Sequence, residues 1–153
     1  MSYIESVLQP GEVVLGQTRL HWFIYLKPLA MLALGVAVFI VGASFDTDIR
    51  RIMDIVGAVV CLVGVAHLLG AWMTRVSTEL AVTNRRVIHK TGLLSRRTQE
   101  INRDKVESVD VSQSLTGRIF GYGTILVRGI GSTWEPFANI ADPLAFRSHI
   151  TAG

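Results

Sequence analysis

PLAMLALGVAVFIVGASF, residues 28–45, and IVGAVVCLVGVAHLLGAWMT, residues 55–74, decide how this chain is organised. Neither contains Asp, Glu, Lys or Arg, and each approaches the ~20 apolar residues that a helix needs to cross a bilayer. In the first run Leu29, Leu32, Leu34, Val36, Val38, Phe39, Ile40, Val41 and Phe45 each favour insertion by ~0.3 to 0.6 kcal/mol near the bilayer centre. Two buried helices of a soluble bundle would also read as apolar runs. Each would keep a polar stripe toward water, however, and neither run has one. The expectation is two membrane-spanning helices. A cleaved signal peptide fits poorly, because the first 18 residues hold no Lys or Arg and the apolar run starts late.

Between the runs, Asp46 to Arg51 with the flanking Ile52 to Asp54 read as the loop of a tight helical hairpin. Two spans bring both chain ends to one side. Near the membrane that side carries Arg19, Lys27, Arg75, Arg85, Arg86 and Lys90, against Arg50 and Arg51 in the loop, so the positive-inside rule puts both termini in the cytoplasm. Trp22, Phe23 and Tyr25 before the first run, and Trp72 near the end of the second, sit where aromatic belts form. Lys27 is close enough to that interface to snorkel. Ala33 and Ala37, and Ala66 and Gly70, are small pairs spaced by four that suit close helix approach. His67 is ionisable within the second run; it either hydrogen-bonds across the hairpin as packing or carries proton or ligand chemistry.

The remainder of the 153 residues has a different character. Mean hydropathy over the whole chain is +0.42 with 18% charged residues, yet from Thr74 onward eleven Lys or Arg face seven Asp or Glu, a net of +4. The division expected is an N-terminal segment at 1–21, a transmembrane hairpin at 22–74 and a cytoplasmic domain at 75–153. In that domain, period-two segments bounded by turn residues read as strands over Val76 to Val82, Arg86 to Lys90, Arg97 to Ile101, Val106 to Val111, Gly123 to Arg128 and Ser132 to Phe137. Thr83, Asn84 and Arg85 read as one hairpin turn, with Asn84 able to take positive φ, and Asn102 to Lys105 as another. Asp142 before Pro143 marks a helix start, and Phe146 and Ile150 give that helix an apolar edge. Six strands closed by one helix leave an edge to cover. Glu12 to Arg19, strand-like after the Pro10-Gly11 turn, either pairs with the later strands or leads along the interface into the first span.

The run Thr78-Glu79-Leu80-Ala81-Val82-Thr83-Asn84-Arg85-Arg86-Val87-Ile88 continues into Gly92-Leu93-Leu94, the Glu100-Ile101 strand, Val106 and Val109 before Gln113-Ser114, and Gly121-Tyr122-Gly123-Thr124. Over roughly Val76 to Phe146 this resembles the bacterial pleckstrin-homology domain of the second type, a membrane-attached family. Its most specific parts are the T-N-R-R turn and the later G-Y-G-T. The resemblance implies a mainly-β pleckstrin-homology-like barrel with a short C-terminal helix, beside a membrane α-helical hairpin in the bacterial inner membrane. It supplies no catalytic residue.

No chemical constellation emerges independently. His21, His67, His89 and His149 lack the spacing of a hydrolytic metal site, Cys61 stands alone, and no G-x-S-x-G elbow occurs. Gly117 to Gly131 does not follow the phosphate-loop pattern and reads as turn and bulge glycines. The expectation is therefore a non-enzymatic module without cofactor or metal, binding membrane lipids, a protein partner or a second copy of itself; nucleic acid fits poorly, for want of a stacking motif. An accessory subunit of a larger membrane complex is the alternative. A strand rising ~3.3 Å per residue from Arg75 carries the Asn84-Arg85 turn away from the bilayer and returns the 91–96 connection to it. Lipid contact is accordingly expected at Leu93, Leu94, Arg96, Arg97 and Arg118, and partner contact at Arg85 and Arg86.

Overall fold

The computed structural model describes residues 3–92, 97–133 and 136–151, and the chain divides into two units, Met1–His21 with Thr74–Gly153, and Trp22–Met73. The first unit is built from antiparallel strands. Helix α1 (Tyr3–Val7) leads into β1 (Val14–Arg19), and β2 (Glu79–Thr83), β3 (Arg86–Thr91) and β4 (Arg97–Asn102) complete a sheet in the order β1-β2-β3-β4. A second sheet contains β5 (Val106–Ser112), β6 (Tyr122–Gly129) and β7 (Ser132–Thr133), and β8 (Phe137–Ala141) pairs with β6. Leu20 bridges Ile140, and His21 N donates to Asn139 O at 2.6 Å, so the two sheets join where the first strand meets the last.

The core explains the patterning. Leu80 and Val82 of β2, Val87 of β3, Ile101 of β4, Ile125 and Val127 of β6, and Phe137 and Ile140 of β8 form one buried cluster. Helix α5 (Pro143–Thr151) closes it with Phe146 and Ile150, the apolar edge expected from their spacing. Arg103 fixes the end of this helix, its Nε and Nη2 donating to the carbonyls of Ile150 and His149 at 3.1 and 3.0 Å. Such a cation satisfies carbonyls that no further helical turn can reach.

Several boundaries differ from the sequence reading, each for a local reason. The strand expected from Val76 begins only at Glu79, because the second long helix, α3 (Thr47–Ser77), runs on, with Thr78 N still donating to Thr74 O at 3.1 Å. The loop expected over Asp46 to Arg51 is mostly helical: Asp48 lies in the first turn of α3, where a carboxylate suits the helix dipole, and Arg50 lies 3.9 Å from Asp54 one turn on. The single strand expected over Ser132 to Phe137 is two, β7 and β8, with Pro136, which has no amide to donate, just before the second. Asn102 to Lys105 is not a hairpin turn. It includes a 3-10 turn, Arg103–Lys105, that carries the chain from one sheet to the other. The stretch from Gly117 to Gly131 holds more than turns, since helix α4 (Leu115–Phe120) occupies its start.

The second unit is a helical hairpin of α2 (Leu26–Gly42), entered through a 3-10 turn at Trp22–Tyr25, and the bulk of α3. Its contact is not made by the alanine pairs, for Ala33, Ala37, Ala66 and Gly70 all face outward. Glycines make it instead. Gly35 is buried, and a Cβ there would collide with Cys61 Sγ and lie 3.1 Å from Gly57 O. His67 does not reach across; its Nδ1 lies 2.9 Å from Val63 O on its own helix, and the side chain is exposed.

Gly35→Leu should therefore destabilise the hairpin by about 1 to 3 kcal/mol, the usual cost of overpacking, whereas Gly70→Leu, with open space around the added Cβ, should change little. Thermal unfolding of the two variants in the same detergent checks this. Equal melting temperatures would mean that the helices do not meet at Gly35.

Candidate functional site

Antiparallel pairing fixes which residues share an end of the β unit. Arg19 pairs with Glu79, Thr91 with Arg97, and Tyr122 with Ala141, so the finish of β1, the start of β2, the finish of β3 and the start of β4 lie at one end. At this end the chain leaves the unit after His21 and returns at Thr74. Arg75 Nε donates to Leu20 O at 3.1 Å, tying the two passages together. The His21 ring stacks on Tyr122 with centroids 5.5 Å apart, and burial together with the nearby Arg75 cation lowers the His21 pKa, with Asp142 opposing.

Tyr122 in turn fixes α4. Its hydroxyl lies 2.9 Å from Thr116 Oγ1, and its carbonyl accepts from Gln113 Nε2 at 3.0 Å. Ser114 caps the helix by accepting from Gly117 N at 3.1 Å, and Gly121 ends it in the left-handed conformation at φ 75°, where a side chain would be strained. The outer surface of this short helix is apolar: Leu115 and Ile119 are each 78% exposed and Phe120 48%. Arg118 is exposed on the same helix, and Arg97 is exposed at the start of β4. Leu93, Leu94 and Arg96, expected to contact lipid, lie outside the described residues.

The opposite end carries the T-N-R-R turn, and there the structure separates two arginines that the sequence reading grouped. Arg85 is exposed. Arg86 is engaged within the protein: Nε and Nη2 grip the Glu12 carboxylate at 2.9 and 2.8 Å, Nη2 also reaches Val7 O at 2.9 Å, and Nη1 meets Glu100 at 2.6 Å. Glu12, whose side chain is fully buried, also accepts from Thr83 Oγ1 at 2.7 Å and Gln9 N at 2.8 Å. Asn84 does not use the positive φ open to its type; its side chain accepts from Val13 N at 3.0 Å and donates to Gly11 O at 3.3 Å. Beside the turn, Arg85, Arg86, Glu100 and Asp104 line an open groove of about 430 Å³ whose mixed charge does not define an anion site. Among the described residues no group of three His, Cys, Asp or Glu could hold a metal ion.

The family model described as Bacterial PH domain matches residues 18–153. No curated protein matches the chain.

The Glu12–Arg86 pair makes the acid stability of the protein predictable. Hydrogen bonds from Arg86 are the main cause that holds the Glu12 pKa at about 2, against an ordinary value of 4.5. A folded value below the unfolded one means that this contribution is complete above pH 4.5 and is lost as pH falls toward 2. Glu12→Gln should flatten the acid limb of the melting curve over that interval. Arg86→Ala, which leaves a buried carboxylate without its cation, should cost about 3 to 5 kcal/mol at neutral pH. Melting temperatures of the detergent-solubilised chain from pH 2 to 7 measure both. An acid limb that is unchanged in Glu12→Gln would assign the acid sensitivity to other carboxylates.

Proposed function

This chain belongs to the bacterial PH domain family, and on that premise we propose that it is a non-enzymatic module, anchored in the cytoplasmic membrane by α2 and α3, whose β unit binds anionic lipid headgroups at its chain-exit end. One observation carries the headgroup assignment. Arg97 and Arg118 are exposed at the end of the β unit where the chain leaves for the two long helices and returns from them, which supports headgroup contact at that end. Near-surface cations gain ~1 kcal/mol each from an anionic leaflet. The anchoring rests on the helices themselves: both are long and apolar enough to span, and only 11% of the apolar window of each is buried, where a core helix of a soluble protein would be mostly buried. Arg85, exposed at the opposite end, is left for a protein partner.

A second reading, an accessory subunit of a larger membrane complex, is favoured by His67. Its exposed ring on α3 gives another span a polar group to bond.

For the anchoring, an impermeant thiol reagent applied to intact cells should label Thr47→Cys and leave Ser148→Cys unlabelled; labelling at 148 would reverse the proposed topology. For the headgroup site, the detergent-solubilised full chain is titrated with short-chain phosphatidylglycerol or phosphatidylcholine and its melting temperature followed. The anionic lipid should stabilise more, with the difference removed by 0.5 M salt and reduced by ~1 kcal/mol per cation in Arg97→Gln and Arg118→Gln. Arg85→Gln should leave it intact. If Arg85→Gln abolishes the preference and the other two do not, the headgroup site is the T-N-R-R turn.

A further inference from the structure

The α4 helix carries more than its arginine. Leu115 and Ile119, four residues apart, share one face, and Phe120 follows, so the three side chains form a continuous exposed apolar tip. This tip is not a loose loop. The Ser114 cap, the Gly121 terminus and the Thr116–Tyr122 hydroxyl contact seat the Gly117 side of the helix on the β unit and leave Leu115 and Ile119 outward. Gly117 is buried in this seat, where a Cβ would collide with Tyr122 O, so the helix backbone lies directly on the start of β6. Leu115 and Ile119, each 78% exposed, are held outward, which is unfavourable in water and favourable where an apolar medium meets them.

We propose that α4 is an apolar wedge that enters the acyl boundary of the cytoplasmic leaflet, with Arg118 beside it at the level of the phosphates. The proposal rests on the membrane-anchored reading above. The occupant follows from continuity: Tyr122, which seats α4, stacks on His21, and the residue after His21 is Trp22, where the first membrane-length helix begins. Charge agrees as well, for Leu115–Phe120 contains Arg118 and no carboxylate. Leu144, 58% exposed in the first turn of α5 just beyond Ala141, adds apolar surface at the same end. Apolar insertion and headgroup attraction have different signatures, since salt screens only the second.

The test uses the full chain with Cys61→Ala, spin-labelled at Ile119→Cys, at Leu115→Cys as a second α4 position, or at Lys105→Cys in the connection at the opposite end, and reconstituted in phosphatidylcholine with or without phosphatidylglycerol. The labels at 119 and 115 should collide with oxygen several-fold more than with a water-soluble nickel chelate, in both lipids and in 0.5 M salt, and the label at 105 should show the reverse. Aqueous exposure of 119 and 115 comparable to that of 105 overturns the wedge. So does shielding from both reagents with spin–spin broadening that disappears on dilution with unlabelled protein, because a second copy would then cover the helix; shielding without broadening assigns the face to packing within the chain itself and overturns it too. An embedded label together with no anionic preference in the titration above sinks the headgroup site alone, and an aqueous label with that preference intact sinks the wedge alone.

Discussion

The bidentate pair between Glu12 and Arg86 ties the first strand to a sheet whose other strands lie on the far side of a long insertion. β1 ends at Arg19 and its partner β2 begins at Glu79, so forming their ladder closes a loop of some sixty residues. The entropic cost of that closure grows only slowly with length, and it is offset by the ladder and by the bonds around Glu12. The pairing also dictates what the insertion can be. Antiparallel neighbours are ~4.8 Å apart, so whatever leaves after β1 must return to nearly the same place. Two antiparallel helices do this. One helix would deliver the chain a full helix length away. The even number of long helices and the antiparallel β1–β2 ladder are thus one constraint expressed twice.

The same pair changes the meaning of the T-N-R-R turn. Thr83 donates to Glu12, Asn84 bonds Val13 and Gly11, and Arg86 grips Glu12, so three of its four side chains hold the N-terminal segment. Arg85 lies beside the same segment, its Nη2 3.8 Å from where a Cβ on Gly11 would stand, and remains exposed. The most specific stretch of the resemblance is therefore a folding device for capturing the first strand, and its basic character misleads when read as surface charge. Deep burial of a carboxylate is tolerated here because both oxygens are satisfied, two bonds on each.

Local signals were legible in the sequence and distant ones were not. The apolar runs, the strand alternation and the Asp142-Pro143 helix start each depend on neighbours within a few residues, and the division into a helical hairpin and a mainly-β part followed from them, whereas the pleckstrin-homology-like barrel came from the resemblance. The partner of Glu12 lies 74 residues away, and no local pattern selects Arg86 over Arg85. Helix α4 was missed for a different reason. Its six residues are too few for an amphipathic period to show, and its glycines suggested turns; the usable signal was the pair of caps, Ser114 before and Gly121 after. The alanine pairs of the hairpin misled because small residues permit close approach without specifying which face uses it. Gly35 and Gly57, lying against one another, decide that.

Under the proposed reading, the sparseness of the exit-end surface is itself expected. A β unit whose chain passes directly into two spans meets the bilayer at high effective concentration, so its own contacts need not supply independent membrane affinity. A few cations and a small apolar tip are then enough to orient the unit, whereas a detached domain would need a much larger surface. The two kinds of contact respond to different properties of the leaflet, the arginines to its charge and the apolar side chains to the packing of its interior. Orientation set by both would fix which face the opposite end, with Arg85, turns toward the cytoplasm. A change in lipid composition would thereby alter what that end can reach without any change in the fold.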